Sequence, residues 1–283
     1  MGTYVVTGSA SGMGHQAAQR LRADGHVVIG VDLRDAEVVA DLSTASGRTT
    51  AATRVLQLAE RLDGAVLAAG IGPTPGADRA GLIYQVNFFG VVDLLNAWRP
   101  RLAAAHRAKV VVAASNSTTT TPAVPRRAVR ALLAGDPHKA QRAVRLLGPA
   151  APAMAYAASK IAVARWVRRQ AVTSDWAGEG IRLNALAPGA ILTPLLEKQL
   201  ATPREANTVN AFPVPVGGFG DPGSLADWML FMLTDAADFL CGSVIFVDGG
   251  SDAYFRADAW PKALSAFGLP RYLWRFAAFG RRR

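Results

Sequence analysis

The chain has 283 residues, of which 51% are hydrophobic and 18% charged, with a net charge of +10 and one cysteine, Cys241. That is long enough for one full-sized folded domain and too apolar for a disordered chain, while a lone cysteine excludes an internal disulfide or a cysteine-built zinc site and suits a reducing, cytoplasmic setting. The charge is local: residues 126–145 carry a net +5, residues 256–283 a net +6 and the remainder is near neutral, which argues against nucleic acid as a partner.

The first strand-like run, TYVVT, begins at Thr3, so no secretory signal is expected. Val6 stands where a myristoylation signal needs Ser or Thr. No apolar run approaches the roughly 20 residues of a membrane span. Further buried strands are expected at HVVIGVD (26–32), GAVLAAG (64–70), KVVVAAS (109–115), IRLNALAPG (181–189) and SVIFVDGG (243–250). Their near-continuous Val, Ile, Leu and Ala is the mark of strands covered on both faces. Helical patterns fall between them at about 13–24, 48–62, 79–105, 155–177 and 222–235. The alternation predicts an α/β, Rossmann-type doubly wound parallel sheet with helices on both faces, one domain over 1–255. Two segments interrupt it. A helical insertion is expected at about 118–152, where Asp136 and Pro137 have the order of an N-cap and a first helical residue. A tail, 256–283, mixes Trp260, Phe267, Tyr272, Trp274, Phe276 and Phe279 with arginines.

The stretch TGSASGMG (7–14) joins the first strand to a helix. Gly8, Gly12 and Gly14 would let the backbone approach a pyrophosphate, and the helix N-terminus offers it free N–H groups; the alternative is a tight strand–helix turn alone. Asp32 closes the second strand, where a carboxylate accepts from ribose hydroxyls and repels a 2′-phosphate, favouring NAD over NADP. Arg34 is a counter-signal, since it could hold such a phosphate. Asp41, followed by Leu42, is placed to meet an adenine ring or to cap the next helix.

Taken in order, this glycine loop, Asn87 in VNFFG, Ser115, the pair Tyr156 and Lys160, PGAILT (188–193) and VDGG (247–250) resemble the short-chain dehydrogenase/reductase family over about residues 3–250. The insertion, VDLRDAEVVADLST and RLNALAPGAILTPLL look like its bacterial 3α-hydroxysteroid dehydrogenase/carbonyl reductase subgroup. The chain departs from the family at Ala68-Ala69-Gly70, where asparagines are common, and at Ala114-Ser115, where a serine pair is common. The resemblance implies a catalytic set of Asn87, Ser115, Tyr156 and Lys160, with Ser117 in reserve for Ser115. It implies a dinucleotide bed of Gly8, Ser9, Ser11, Gly12, Met13, Gly14, Asp32, Leu33, Asp41, Leu42, Ala69, Gly70, Tyr156, Lys160, Pro188, Gly189, Ile191 and Thr193. Asn87 would hold a water behind Lys160, or only distort its helix.

Tyr156 and Lys160 lie four apart and share a helix face. A cation there should draw the phenol pKa down from about 10 and fit it for general acid/base work. The small Ala155, Ala157, Ala158 and Ser159 should leave room for coenzyme and substrate along the helix. Ser115 would hold the substrate oxygen.

Leu192, Leu195, Leu196, Phe212, Pro213, Val214, Pro215 and Phe219 should form a lid suited to a small apolar carbonyl or alcohol, although any lid needs an apolar face. The expected activity is NAD-dependent interconversion of a secondary alcohol and a ketone on a bulky apolar substrate; the alternative is a reductase of 3-oxoacyl thioesters on acyl carrier protein or CoA. A homodimer joined through Val129, Leu132, Leu133, Val144, Leu146 or Leu147 is expected, with a tetramer the alternative. For the tail, packing across a dimer or over the substrate mouth, peripheral contact with anionic lipid, and a disordered end compete.

Overall fold

The computed structural model describes residues 1–76, 78–260 and 266–279. In chain order the elements are β1 (Thr3–Thr7), α1 (Gly12–Ala23), β2 (Val27–Asp32), β3 (Val38–Val39), α2 (Ala45–Leu58), β4 (Gly64–Leu67) and α3 (Arg79–Tyr84). A π-helical turn, Gln85–Phe89, leads into α4 (Gly90–Ala103), then β5 (Lys109–Ala113), α5 (Ser117–Thr120), α6 (Arg126–Leu133), α7 (Pro137–Arg145) and α8 (Ala151–Gln170). The chain continues through β6 (Arg182–Pro188), α9 (Pro194–Leu200), α10 (Pro203–Asn210), α11 (Pro222–Phe231), β7 (Val244–Val247), α12 (Ser251–Arg256) and α13 (Leu269–Phe279). Every strand pair is parallel, in the order β3-β2-β1-β4-β5-β6-β7. The order reverses between β1 and β4, so the two loops leaving those strands part and open a crevice at the carboxyl edge of the sheet.

Alternation along the strands divides the core. Val5, Val31, Leu67, Val110, Val112 and Leu183 face α2, α4 and α8, whereas Val6, Val28, Val66, Val111 and Leu186 face α1 and α11. The two layers of helix on one sheet are the expected architecture. The short β3 went unforeseen because two residues carry no periodicity. The strands at 64–70, 109–115 and 243–250 end earlier than their apolar runs: Ala68, Gly70, Ala114 and Ser115 line the crevice, and Gly249 and Gly250 turn toward Val214 and Pro215. Helix α2 starts three residues before the expected point because Thr44 caps it, accepting from Gly47 N–H at 3.0 Å. Thr44 therefore takes the capping place considered for Asp41, whose carboxylate turns back to Ser43 N–H at 2.9 Å.

Helix 79–103 is, among the described residues, long and apolar enough to cross a membrane by length and composition, which the reading of the sequence missed. Its apolar stripe is accounted for inside the fold: Ile83, Phe88, Leu94, Leu95, Trp98 and Leu102 are buried in the sheet-side core.

The insertion forms as expected. Asp136 caps α7, accepting from Lys139 N–H at 2.7 Å. Three of the six expected dimer contacts are not on its surface, however. Val129, Leu132 and Val144 are 2%, 0% and 0% exposed, because α6 and α7 lay their apolar faces against each other, α8 and α3. Only Leu146 and Leu147 of the expected set are exposed, with Leu133 between. The pair is thus part of the core that backs the site. Leu132→Ala should destabilise the protein by about 2–5 kcal/mol in chemical denaturation and leave its solution mass unchanged.

Candidate active site

The glycine loop occupies one side of the crevice. Gly8 has φ +73°, and a Cβ there would lie 2.8 Å from Ala69 N, so only glycine lets this loop close on the end of β4. Helix α1 begins at Ser11 with no side-chain cap and no acid in its first turn. Helices α2, α7 and α11, by contrast, are capped by Thr44, Asp136 and Asp221. The first turn of α1 therefore keeps N–H groups for an anion beside a loop of small residues, Gly8 to Ser11, which suits a pyrophosphate. Gly12 looks across the crevice at Thr193: a Cβ on it would be 3.3 Å from Thr193 Cγ2.

Asp32 stands at the rim, each carboxylate oxygen holding one backbone donor, Ala10 N–H at 2.9 Å and Leu33 N–H at 2.7 Å. Its geometry is thereby set while a lone pair on each oxygen remains for ribose hydroxyls. Arg34 is exposed beside Asp35, 3.8 Å away. Leu33 is exposed, but the Leu42 side chain is buried in the core and its carbonyl accepts from Arg48 at 3.1 Å; of Leu42 only the backbone N–H could reach a ligand. Ser9 is buried with its Oγ unpaired.

Below the rim is a cavity of about 430 Å³. Its inner wall is built from the start of α1, three strand ends and α8: Met13, Ala68 and Gly70, then Ser115, Tyr156 and Lys160, then Pro188, Gly189, Ile191 and Thr193. Ser115 is placed by the ladder continuing past β5, where Ala114 N–H reaches Leu186 O at 2.7 Å and Asn116 N–H reaches Pro188 O at 2.8 Å. Its Oγ accepts from Ser117 N–H at 3.1 Å and hydrogen-bonds the Tyr156 hydroxyl. Ser115, not Ser117, therefore stands with the phenol. Asn87 sits in the π-helical turn and clamps Ile71, its Oδ1 accepting from Ile71 N–H at 2.9 Å and its Nδ2 donating to Ile71 O at 3.0 Å. Helix distortion and a positioning contact thus coincide at this residue.

The electrostatics differ from expectation. Burial pushes the Tyr156 phenol up, opposed by the Ser115 hydrogen bond. Burial also lowers Lys160, to about 8. Lys160 Nζ donates to Ala113 O at 2.7 Å and lies 5.9 Å from the Tyr156 ring centre, so it does not draw the phenol down. Desolvation outweighs the distant cation. The small residues between the pair also act otherwise than expected. Ala155, Ala157, Ala158 and Ser159 are fully buried and let α8 pack closely against the sheet and α6; only Ala153, Tyr156 and Lys160 of α8 reach the cavity.

The outer wall comes from α9, α10 and the turn after them: Leu195, Leu196, Gln199, Val209 and Phe212. Of the residues expected in the lid, Leu195, Leu196 and Phe212 line the cavity, whereas Leu192, Pro213, Val214, Pro215 and Phe219 do not. Asn116, Thr120, Thr121 and the loop 71–73 also line it and were not anticipated. Adjacency to Ser115 was the one available signal for Asn116, whose Nδ2 is buried and unpaired.

Over 257 residues the chain is 38% identical to the 3-alpha-hydroxysteroid dehydrogenase/carbonyl reductase of Comamonas testosteroni, spanning 90% of this chain and 98% of that protein. The chain belongs to the short-chain dehydrogenase/reductase family. Its fold superposes on the 3-alpha-hydroxysteroid dehydrogenase of Pseudomonas sp. B-0831 complexed with NADH, with a TM-score of 0.84 and 41% identity, over 91% of this chain and 100% of that one. Residues 4–186 match the NAD dependent epimerase/dehydratase family, and residues 143–252 match the enoyl-(acyl carrier protein) reductase description. A 3-oxoacyl-[acyl-carrier-protein] reductase of Thermotoga maritima is 40% identical over 95 residues only, 34% of this chain and 37% of that protein. The crevice at the sheet's switch point is where the glycine loop and the Ser115, Tyr156 and Lys160 group meet.

Proposed function

We propose that this protein is an NAD-dependent oxidoreductase that interconverts a secondary alcohol and a ketone on a bulky apolar substrate of the hydroxysteroid or aromatic carbonyl kind. The observation that carries the reading is the meeting of Ser115, Tyr156 and Lys160 at the base of a cavity whose outer wall is Leu195, Leu196, Val209 and Phe212. Similarity along nearly the whole length of a hydroxysteroid dehydrogenase supports the substrate class, whereas the thioester-reductase relative matches only about a third of the chain.

The glycine loop, the N-terminus of α1, Asp32 and the 188–193 loop would hold NAD. Bound there, its nicotinamide gives or accepts the hydride. In the reducing direction Ser115 donates a hydrogen bond to the substrate oxygen, and Tyr156, kept neutral by burial, passes its hydroxyl proton to that oxygen as it becomes an alcohol. Oxidation reverses the transfer. Lys160 supplies positive charge next to the phenol side of the site, and Asn87 positions the loop at Ile71 that forms part of the wall. A panel of steroid, terpenoid and aromatic alcohols with NAD and NADP, read at the absorbance of the reduced nicotinamide, tests the reading. Turnover confined to acyl thioesters would overturn it.

Asp32 sets the coenzyme preference. Asp32→Ala removes a charged acceptor for the ribose and unties Ala10, so affinity for NAD should fall about 10- to 100-fold while that for NADP falls less; titration of the two coenzymes checks this. The protein is read as cytoplasmic and homodimeric. The face that suits a second copy is the edge strand β7 with exposed Trp228 and Phe231 of α11, rather than the insertion.

A further inference from the structure

Beyond α12 the chain is unlike the rest of the molecule. The solved 3-alpha-hydroxysteroid dehydrogenase is matched over its full length by 91% of this chain, and the part left over is the size of the C-terminal arm. Helix α13 buries none of its residues. Leu269, Tyr272, Leu273 and Phe276 follow one another at helical spacing along one face, each 47–75% exposed. By the same spacing Arg275 flanks this stripe and Arg271 lies on the far side of the helix, and Arg281, Arg282 and Arg283 follow in sequence, outside the described residues. After Asp258 the chain has no Asp or Glu. This face needs a cover that is apolar at its centre and negative at its margin.

The arm leaves the fold beside the cavity mouth. Phe212 of the cavity wall packs on Phe255, with ring centres 5.7 Å apart, and Phe255 packs on Tyr254 at 5.5 Å. Tyr254, Phe255 and Trp260 are 66%, 48% and 68% exposed, and Arg256 lies over the Trp260 ring. Aromatic rings therefore run from the mouth of the cavity to the start of the arm, with one arginine among them, Arg256, paired with Asp252 at 2.6 Å. Rings of this kind settle at the boundary between headgroups and acyl chains, and arginines above them meet anionic headgroups.

We propose that α13 and the Tyr254–Trp260 patch dock the protein on an anionic bilayer surface, with the cavity mouth turned to the lipid so that a membrane-dissolved apolar substrate enters past Phe212. The occupant is a lipid surface rather than an acidic protein because the acceptor must take up four large side chains on an otherwise continuous apolar stripe while its negative charge stays at the edge. The delivery step rests on the oxidoreductase reading of the cavity; the docking does not.

The test is flotation of the full chain with phosphatidylcholine vesicles, with and without phosphatidylglycerol. Binding is expected with the anionic vesicles only, and added salt should weaken it. Phe276→Glu should reduce the partition at least tenfold, and Arg271→Gln with Arg275→Gln about fivefold for each arginine removed. All three side chains are exposed, so coenzyme affinity should not change and serves as the control for folding. No flotation of the wild type at low salt, or equal flotation of wild type and Phe276→Glu, overturns the proposal. A dimer that falls to a single chain in Phe276→Glu also overturns it, by giving the face to a second copy. Inactivity on the alcohol panel with flotation intact would remove the oxidoreductase reading and leave docking standing.

Discussion

Tyr156→Phe should lower kcat in both directions by about 10³-fold or more while coenzyme affinity stays within about twofold of wild type. Phenylalanine keeps the ring, its half-buried packing and the cavity shape, and removes only the hydroxyl that bonds Ser115. Burial raises the phenol and so keeps its proton available at neutral pH for transfer to a substrate oxygen. Without it, that oxygen meets the Ser115 hydroxyl alone, which stabilises charge and has no strong tendency to give up its own proton. Initial rates with a ketone and reduced coenzyme, beside a fluorescence titration of coenzyme alone, measure the two quantities. Activity within tenfold of wild type would show that another group moves the proton.

Lys160→Met should lower turnover about 100-fold or more and also remove a distinctive pH dependence of stability. Lys160 titrates near 8 in the fold against 10.5 in the unfolded chain. Between those values the unfolded chain holds more protons, so stability rises with pH, at its steepest by about 1.4 kcal/mol per unit. Below pH 8 both states carry the charge and this contribution is flat. The folded protein thus bears its full cost at neutral pH, where the charge is needed. Denaturation of both proteins at intervals from pH 7 to pH 10 gives the comparison: the difference between wild type and variant should change across that window, and parallel curves would sink the assignment. The amine also donates to Ala113 O, so the absolute stability of the variant combines relief of a buried charge with loss of that bond, whereas the slope reports the titration alone.

Before any coordinates, the sequence determined the class of fold, the place of the glycine loop and the shared helix face of Tyr156 and Lys160, while the choice of Ser115 over Ser117 came from resemblance to a family. The first three are local properties: buried strands read as Val and Ile runs, a glycine loop between strand and helix reads as a phosphate bed, and residues four apart share a helix face. Tertiary structure alone decided which force acts on them. Whether Lys160 lowers the phenol depends on where its Nζ points, and it points at Ala113 O on a strand 47 residues earlier. Whether Val129, Leu132 and Val144 meet a partner or their own core depends on how α6 lies on α8. Asn116, Gln199 and Val209 reach the cavity only because β5, α9 and α10 converge there. Spacing along a chain encodes direction within one element, but desolvation and charge separation are sums over neighbours from many elements, and those sums exist only once the elements have packed.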